Sequence, residues 1–405
     1  MTDPSTRYDV IVVGAGPVGL MAANLSAMHG LKTLIVEKKT ERESGSRAIG
    51  IMPPSLEIFD RLGLLTAVAD AGVPVTVARV HGRRRPLGEV TFDTLPGRIA
   101  AILSIPQDRT EQLLMGALET RDSVTIERGV AITGAAQTGN SVVLEAAGDG
   151  GGERTGTFVI ACDGDRSALR RHLGLDTPER RFKQSFLMGD FVDRSDLGEA
   201  AHLFFTPGGA VESFPLPRGF RRWIVQTSGF LQTPRGSDIV DAVADRSGHR
   251  LSIDDLRWMS PFGVKRRLSR PYFDRRIILC GDAAHVMPPI GGQGMNTGFA
   301  DAYMAVLIVA EAVKRRVPHE PLLVAYDRYR ARAAAEAIRR AVLSMRIGTI
   351  RGALPSAVRN ALIYAALHTP FKRLLPRHFA MQTIPFGTIG RMTALLSNQP
   401  ELQKT

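Results

Sequence analysis

The chain has 405 residues, 44% apolar and 23% charged, an ordinary globular balance with room for more than one domain. Its two cysteines, Cys162 and Cys280, exclude a disulfide framework and make a reducing, cytoplasmic setting the expectation. The net charge of +12 is local: from Lys314 onward there are 16 lysines and arginines against 4 acidic residues, so the first 313 residues are neutral overall and nucleic acid is not an expected partner. No run of about 18 apolar residues marks a transmembrane helix, and no basic stretch leading into an apolar one marks a signal peptide.

Tyr8–Val13 is an apolar, β-branched run of strand type. Gly14-Ala15-Gly16-Pro17-Val18-Gly19 turns the chain, an Ala-rich helix runs to about Gly30, and a second strand covers Thr33–Val36. The turn matches G-x-G-x-x-G between a strand and a helix. Its glycines allow the tight turn, the approach of backbone to a pyrophosphate, and close helix–strand packing. The helix start offers free N–H groups to phosphate. Glu37 ends the second strand, 21 residues after Gly16, where a carboxylate accepts from ribose hydroxyls. Together these features specify a bound dinucleotide, without separating FAD from NAD.

Pro53–Leu62 reads as a helix. Short strands follow at Val75–Val80, Glu89–Phe92 and Ala101–Ile105, around the basic turn Arg83-Arg84-Arg85-Pro86, and then a helix over Arg109–Thr120. Residues 124–162 read as strands with a hairpin tip at Gly148–Gly152. Gln184–Val192, Ala210–Phe214 and Trp223–Thr227 are β-type runs, with a helix near Asp238–Asp245. Residues 274–316 return to strand, glycine-rich turn and long helix. The remainder is helical, broken by Pro318, Pro355, Pro370, Pro376 and Pro385.

Two further stretches carry chemistry. Asp163-Gly164-Asp165-Arg166-Ser167-Ala168-Leu169-Arg170 follows the strand Thr157–Ile160. Gly281-Asp282 follows Arg276–Leu279 and leads through His285 and Pro288 to Gly291-Gly292-Gln293-Gly294-Met295-Asn296. Taken with the first turn, they resemble the group A flavoprotein monooxygenases, the para-hydroxybenzoate hydroxylase-like family. Ser55–Leu64 resembles its aromatic polyketide hydroxylase branch. At 405 residues, the chain is expected to lack the C-terminal thioredoxin-like domain of many such hydroxylases.

The resemblance implies an α/β fold, α+β overall: a Rossmann-like FAD-binding domain from segments 1–75, 106–181 and 274–340. Inserted into it is a mixed-sheet substrate domain, residues 182–273 with strands from 76–105, and a basic helical region follows at 341–405. FAD is implied as the bound cofactor, with NADPH or NADH as a transient reductant. The implied cofactor set is Gly14, Gly16, Pro17, Val18, Gly19, Glu37, Lys38, Arg47, Gln107, Asp163, Gly164, Arg170, Gly281, Asp282, Pro288, Gly291, Gly294, Met295 and Asn296. Arg47 matches an arginine near the FAD phosphates, Gln107 a residue beside the flavin, and Asp282 the aspartate of the ribityl chain. Independently, a backbone loop at Gly291–Gly294 suits a planar ring. The helix beginning near Met295 would favour negative charge on a reduced flavin's N1 and O2 edge.

Plainer roles compete at single positions. Asp163-Gly164 is a common turn pair, Ser167 suits a helix cap and Arg170 a surface ion pair. His285 is expected to pack or hydrogen-bond rather than act as a base, and Cys162 and Cys280 to be inert. The implied reaction is hydroxylation or epoxidation of an aromatic or polycyclic small molecule by O2, through a C4a-hydroperoxyflavin, in secondary metabolism or aromatic catabolism. No metal spacing, triad or carboxylate pair is visible, and no catalytic base can be named. Met188, Phe204, Phe205, Phe214 and Trp223 are candidate pocket walls, with ordinary core as the competing assignment. The basic tail is expected to pack on the FAD domain or form a dimer contact in preference to a membrane surface, leaving a monomer or homodimer. A halogenase is disfavoured, because neither Trp223 nor Trp258 forms W-x-W-x-I-P. A reductase of the same fold and a flavoprotein that binds a reactive intermediate without turnover are the alternatives.

Overall fold

The computed structural model describes residues 6–41, 48–83, 85–148 and 150–384. The middle of the first sheet is parallel, in the order Ile277–Leu279, Gly152–Ala161, Arg7–Val13, Thr33–Glu37, Val124–Arg128. The helices Pro17–Met28 and Gln293–Lys314 and the strand Val130–Thr138 pack on these strands, which are apolar throughout rather than alternating; Val10, Ile11 and Val12 are fully buried. The register places Val13 opposite Val36 and Ala161, and Ala161 opposite Leu279. The strands therefore end level. Gly14 N–H donates to Val36 O, Cys162 N–H to Val13 O, and Cys280 N–H to Ala161 O, at 2.8, 2.8 and 3.0 Å. All three motif turns start from this one edge, the usual ligand-binding edge of such sheets.

Two helices pack behind the turns, Pro17–Met28 and Gln293–Lys314. Their closest approach is at Gly298, where an added Cβ would lie 2.6 Å from Val18 Cγ2 and 3.1 Å from Gly281 Cα. By length and composition, Gln293–Lys314 is apolar enough to cross a membrane, although Asn296, Asp301 and Glu311 interrupt its apolar run. In the fold, 78% of its apolar window is buried against protein, as a core helix.

That helix carries a fully buried carboxylate, Asp301. One oxygen accepts from His285 Nε2 at 2.7 Å and from the Gly281 N–H at 3.1 Å; the other accepts from Arg330 Nε at 2.7 Å. Burial alone would push the Asp301 carboxyl up, but Arg330 and His285 outweigh it and hold the group below the usual carboxylate range. Arg330 also donates to Thr297 O at 3.0 Å.

The second sheet is mixed, ordered His285–Val286, Leu256–Leu268, Arg180–Val192, Phe220–Thr227, Gly209–Leu216, Ala201–Thr206, Val77–His81, Pro86–Thr91. Its strands alternate between two faces. Leu187, Phe191, Phe204, Val211, Trp223 and Val225 pack under the helix Gly236–Ser247 through Ile239 and Val243. On the other face, Phe186, Met188, Phe262 and Val264 pack against Met345 and against Ile290 of the glycine-rich loop.

The expected strand at Ala101–Ile105 does not join this sheet. Ile102–Ser104 pairs instead with Gly50–Ile51 and Val73–Val75 in a separate three-stranded sheet. Hydrogen bonds from Ile105 N–H to Ile49 O and from Gln107 N–H to Ala48 O hold it there, a pairing that local alternation cannot reveal. The boundary drawn after residue 340 falls inside one unbroken helix, His319–Gly348. The next helix, Ala353–His368, packs on strands Pro86–Thr91 and Ala201–Thr206 of the second sheet rather than on the first. It leaves Leu354, Val358 and Leu362 exposed.

Removing one partner of a buried ion pair strands the other charge. Asp301→Ala and Arg330→Ala are each expected to lower the unfolding free energy by about 3–5 kcal/mol. Denaturant melts of the two variants and the wild type measure this; a loss of about 1 kcal/mol or less, as at an exposed pair, would contradict the structural role.

Candidate active site

The three glycines of the first turn have different duties. Gly14 has φ +104°, and a Cβ there would sit 2.4 Å from Cys162 O. A Cβ at Gly19 would sit 1.9 Å from Gly14 O. A Cβ at Gly16 would meet no protein atom within 4 Å, although its backbone (φ −73°, ψ 179°) suits any residue. Gly14 and Gly19 are thus required by the fold, and Gly16 by whatever approaches the turn. Pro17 opens a helix with neither a capping side chain nor an acidic residue in its first turn, and Val18 packs on Gly281 and Gly298. Half-buried Glu37 braces the turn: it accepts from Ala15 N–H at 2.7 Å and Lys39 N–H at 3.0 Å, and each oxygen keeps a lone pair for a further donor. Lys38 is exposed beside it.

In the second motif, Asp163 Oδ2 accepts from Ala168 N–H at 2.8 Å and Leu169 N–H at 3.3 Å. Its Oδ1 is buried and has no partner among the described residues. Ser167 Oγ caps the short helix by accepting from Arg170 N–H at 2.9 Å, and Gly164 takes φ +78°. Arg170 is not a surface residue; it is 1% exposed. Its Nε donates to Asp176, Nη1 to Ala283 O and Nη2 to Asp165 O, at 2.9, 3.1 and 2.8 Å. Those donors clamp the second turn to the third.

In the third motif, Gly281 (φ +60°) is fixed by Asp301, and Asp282 faces the outside of the turn, exposed. The surrounding protein walls raise the Asp282 carboxyl; His285 and Lys265 act against this and Asp165 with it. Buried Pro288 leads to a turn closed by Gly292 N–H to Pro289 O at 3.0 Å, with Gly291 and Gly292 at φ +80° and +64°. The long helix starts there without a side-chain cap. Gln293 Oε1 is buried without a partner among the described residues. Gly294 is half-buried and Met295 packs into the first core. Asn296 is spent on protein: it accepts from Met52 N–H at 2.9 Å and donates to Gly50 O and Gly292 O at 2.9 and 2.8 Å, tying the loop to the Gly50–Ile51 strand. Gln107 donates to Glu111 at 2.8 Å at the start of its helix. Arg47 lies outside the described residues.

His285 is buried on Asp301, and the Cys162 thiol is held protonated by its hydrogen bond to Cys280 and by burial, so neither is poised for catalysis. Among the described residues, no group of three or more His, Cys, Asp or Glu is arranged to hold a metal. Sequence reasoning missed the Asp301–Arg330 pair. Its only signal was a charge set among apolar or small residues in each of two helices.

FAD fits this set. Its pyrophosphate matches the open backbone at Gly16 and the uncapped first-turn amides. Its hydroxyls and ring N–H match the free acceptors of Glu37, Asp163 Oδ1, Asp282 and Gln293 Oε1. Three turns at one sheet edge, beneath the apolar face of a second sheet, define a flavoprotein. The FAD binding domain family matches residues 7–341, and the chain belongs to that family. It is 32% identical to a rifampicin monooxygenase of Streptomyces venezuelae, over 82% of this chain and 70% of that one. It is 30% identical to a 6-methylpretetramide 4-monooxygenase of Streptomyces rimosus, over 94% and 71%. An anhydrotetracycline hydroxylase structure from Streptomyces rimosus is 27% identical, with TM-score 0.76 over 94% of this chain and 77% of that one. The p-nitrophenol 4-monooxygenase of Pseudomonas putida shares the fold at 20% identity, with TM-score 0.83 over 92% and 97%. The chain is an FAD-dependent monooxygenase.

The two kinds of glycine separate by experiment. Gly16→Ala is expected to fold and melt like the wild type but to lose at least about tenfold in flavin affinity, since its methyl would meet no protein atom and would stand where a pyrophosphate must approach the turn. Gly19→Ala is expected to lower the melting temperature of flavin-free protein, because its methyl meets backbone. Flavin titration and thermal melts of the apoprotein check both; equal behaviour of the two variants would contradict the division.

Proposed function

We propose that the chain uses NAD(P)H and O2 to hydroxylate a bulky aromatic small molecule, held between the glycine-rich loop and the apolar face of the second sheet. The observation that carries this is the packing of Phe186, Met188, Phe262 and Val264 toward Ile290, the loop residue next to Gly291. In this reading the first sheet belongs to the cofactor domain and the second to the substrate domain. When bound, FAD reduced by NAD(P)H activates O2 and supplies the oxygen atom. The protein's part is positional. The Gly14–Gly19 turn and its helix would hold the pyrophosphate, Glu37 a ribose, Asp282 the ribityl chain, and the Gly291–Gly294 backbone the ring. The apolar face orients the substrate and excludes water. The relatives named for rifampicin and for tetracycline-type substrates support a polycyclic substrate class. The reading includes a cytoplasmic enzyme acting as a monomer or homodimer.

The pocket walls named from sequence divide. Met188 lies on the loop-facing side, and the register puts Phe214 there too, opposite Arg222. Phe204 and Trp223 face the helix Gly236–Ser247. Phe205 lies against the C-terminal helices, with Arg359 5.2 Å above its ring. Adjacent residues of a strand point to opposite faces, so Phe204 and Phe205 cannot line one pocket.

A panel of polycyclic phenols, monocyclic phenols and small charged acids tests the reading, with NAD(P)H oxidation, O2 uptake and peroxide release recorded together. Polycyclic phenols are expected to stimulate oxidation, with O2 consumed and little peroxide released. Stimulation by small charged acids alone would overturn the substrate class. Substrate-stimulated oxidation without O2 uptake would point to a reductase.

A further inference from the structure

Glu212 lies on the strand Gly209–Leu216, and its register fixes its face. It is opposite Ile224, which is opposite Met188, which is opposite Ser260. That row shares the side of Phe186 and Phe262, the side turned to Ile290 and Met345. Across the next strand Glu212 is opposite Leu203, which packs with Val80, Leu87 and Ile102. A carboxylate therefore sits between two apolar clusters on the face assigned above to the substrate. It is 9% exposed, and among the described residues it has neither a hydrogen-bond nor an ion-pair partner.

The charged groups of this face and of the segments covering it donate to other acceptors, with Arg359 Nη2 buried and without a partner among the described residues. In the next row of the face, Arg222 holds Asp190 with two bonds, at 2.6 and 2.7 Å, beneath Trp258. From the covering segments, Arg351 donates to Thr227 O at 2.8 Å, and Arg359 donates to Ile350 O at 2.7 Å while lying over Phe205. Burial alone pushes the Glu212 carboxyl up to about 7, so it exchanges a proton near neutral pH.

We propose that Glu212 is a catalytic residue of the substrate site, which binds a hydroxyl conjugated with the ring to be oxygenated and takes its proton. The proposal rests on the aromatic-hydroxylase reading. The substrate O–H bond breaks, its electron pair stays on oxygen and enriches the ring, and the proton passes to a Glu212 carboxylate oxygen. The proton returns to that oxygen of the product before release. The substrate class is thereby narrowed to phenols and enols, over ethers and unsubstituted rings.

The FAD-loaded wild type, Glu212→Gln and Glu212→Asp are titrated with 2-hydroxyanthraquinone and its 2-methoxy counterpart, following affinity and the phenolate absorption band. The wild type is expected to prefer the hydroxy probe by about tenfold or more, the scale of one hydrogen bond to a charged group, and to show the phenolate band. Glu212→Gln is expected to lose both while keeping its flavin content, its affinity for the methoxy probe and a melting temperature no lower than wild type. Hydroxylation of the best phenol from the panel is expected to fall by about 10²–10⁴-fold, with partial recovery in Glu212→Asp. A Glu212→Gln variant that keeps the preference and the band would overturn the role of Glu212 alone. Failure of the wild type to bind either probe would count against the aromatic site itself, and with it this proposal.

Discussion

The flavin-facing edge depends on burying one negative charge. Asp301 sits in an apolar helix with no access to water, an arrangement that is costly unless both oxygens are bonded. They are bonded by groups from three places: the Gly281 backbone, His285 after the third turn, and Arg330 on the following helix. The third turn is therefore set by side chains bonded to one another and to its own backbone. Arg170 does the equivalent on the other side, joining Asp165 O to Ala283 O and so the second turn to the third. Glu37 joins the first turn to the end of its own second strand. Three loops far apart in the chain are thus held as one rigid surface, the preorganisation that a cofactor site requires.

Much of this was legible in the sequence, for a specific reason. Each motif follows its strand directly, and the strands end level, so local patterns at Gly14, Asp163 and Gly281 report a non-local edge. What a motif residue does was less legible. Arg170 and Asn296 stand where a cofactor contact was expected, yet their side-chain bonds described above go to protein. Whether such a side chain turns toward ligand or protein depends on distant carbonyls, at Ala283 or Gly50, that no window of sequence contains. The same holds for Ile102–Ser104, whose strand character was plain and whose partners, Gly50–Ile51 and Val73–Val75, were not. Asp301 and Arg330 lie in different helices, and nothing short of the fold pairs them.

The second sheet shows how alternation sorts residues that composition treats alike. Phe204 and Trp223 are as apolar as Phe186 and Phe262, but the helix Gly236–Ser247 claims the first pair and leaves the second facing Ile290. In the function proposed above, this apolar, loop-facing side is the one that would receive a flat substrate and keep water from it.

Three of the carboxylates in this fold make an internal comparison. Asp301 is buried and answered by Arg330 and His285. Asp190 lies on the same sheet face as Glu212, one row away, and Arg222 answers it with two bonds. Both show how this chain satisfies a carboxylate that serves structure. Glu212 has neither arrangement, although Arg222 stands only two residues along the neighbouring strand from its partner Ile224. An unpaired carboxylate on an apolar face weakens the fold. A side chain such as leucine would remove that cost without leaving any donor unpaired, since among the described residues no donor reaches Glu212. The stability it costs is therefore accounted for by a donor that arrives with the substrate, which is why the polar exception on this face says more about the ligand than its many apolar neighbours do.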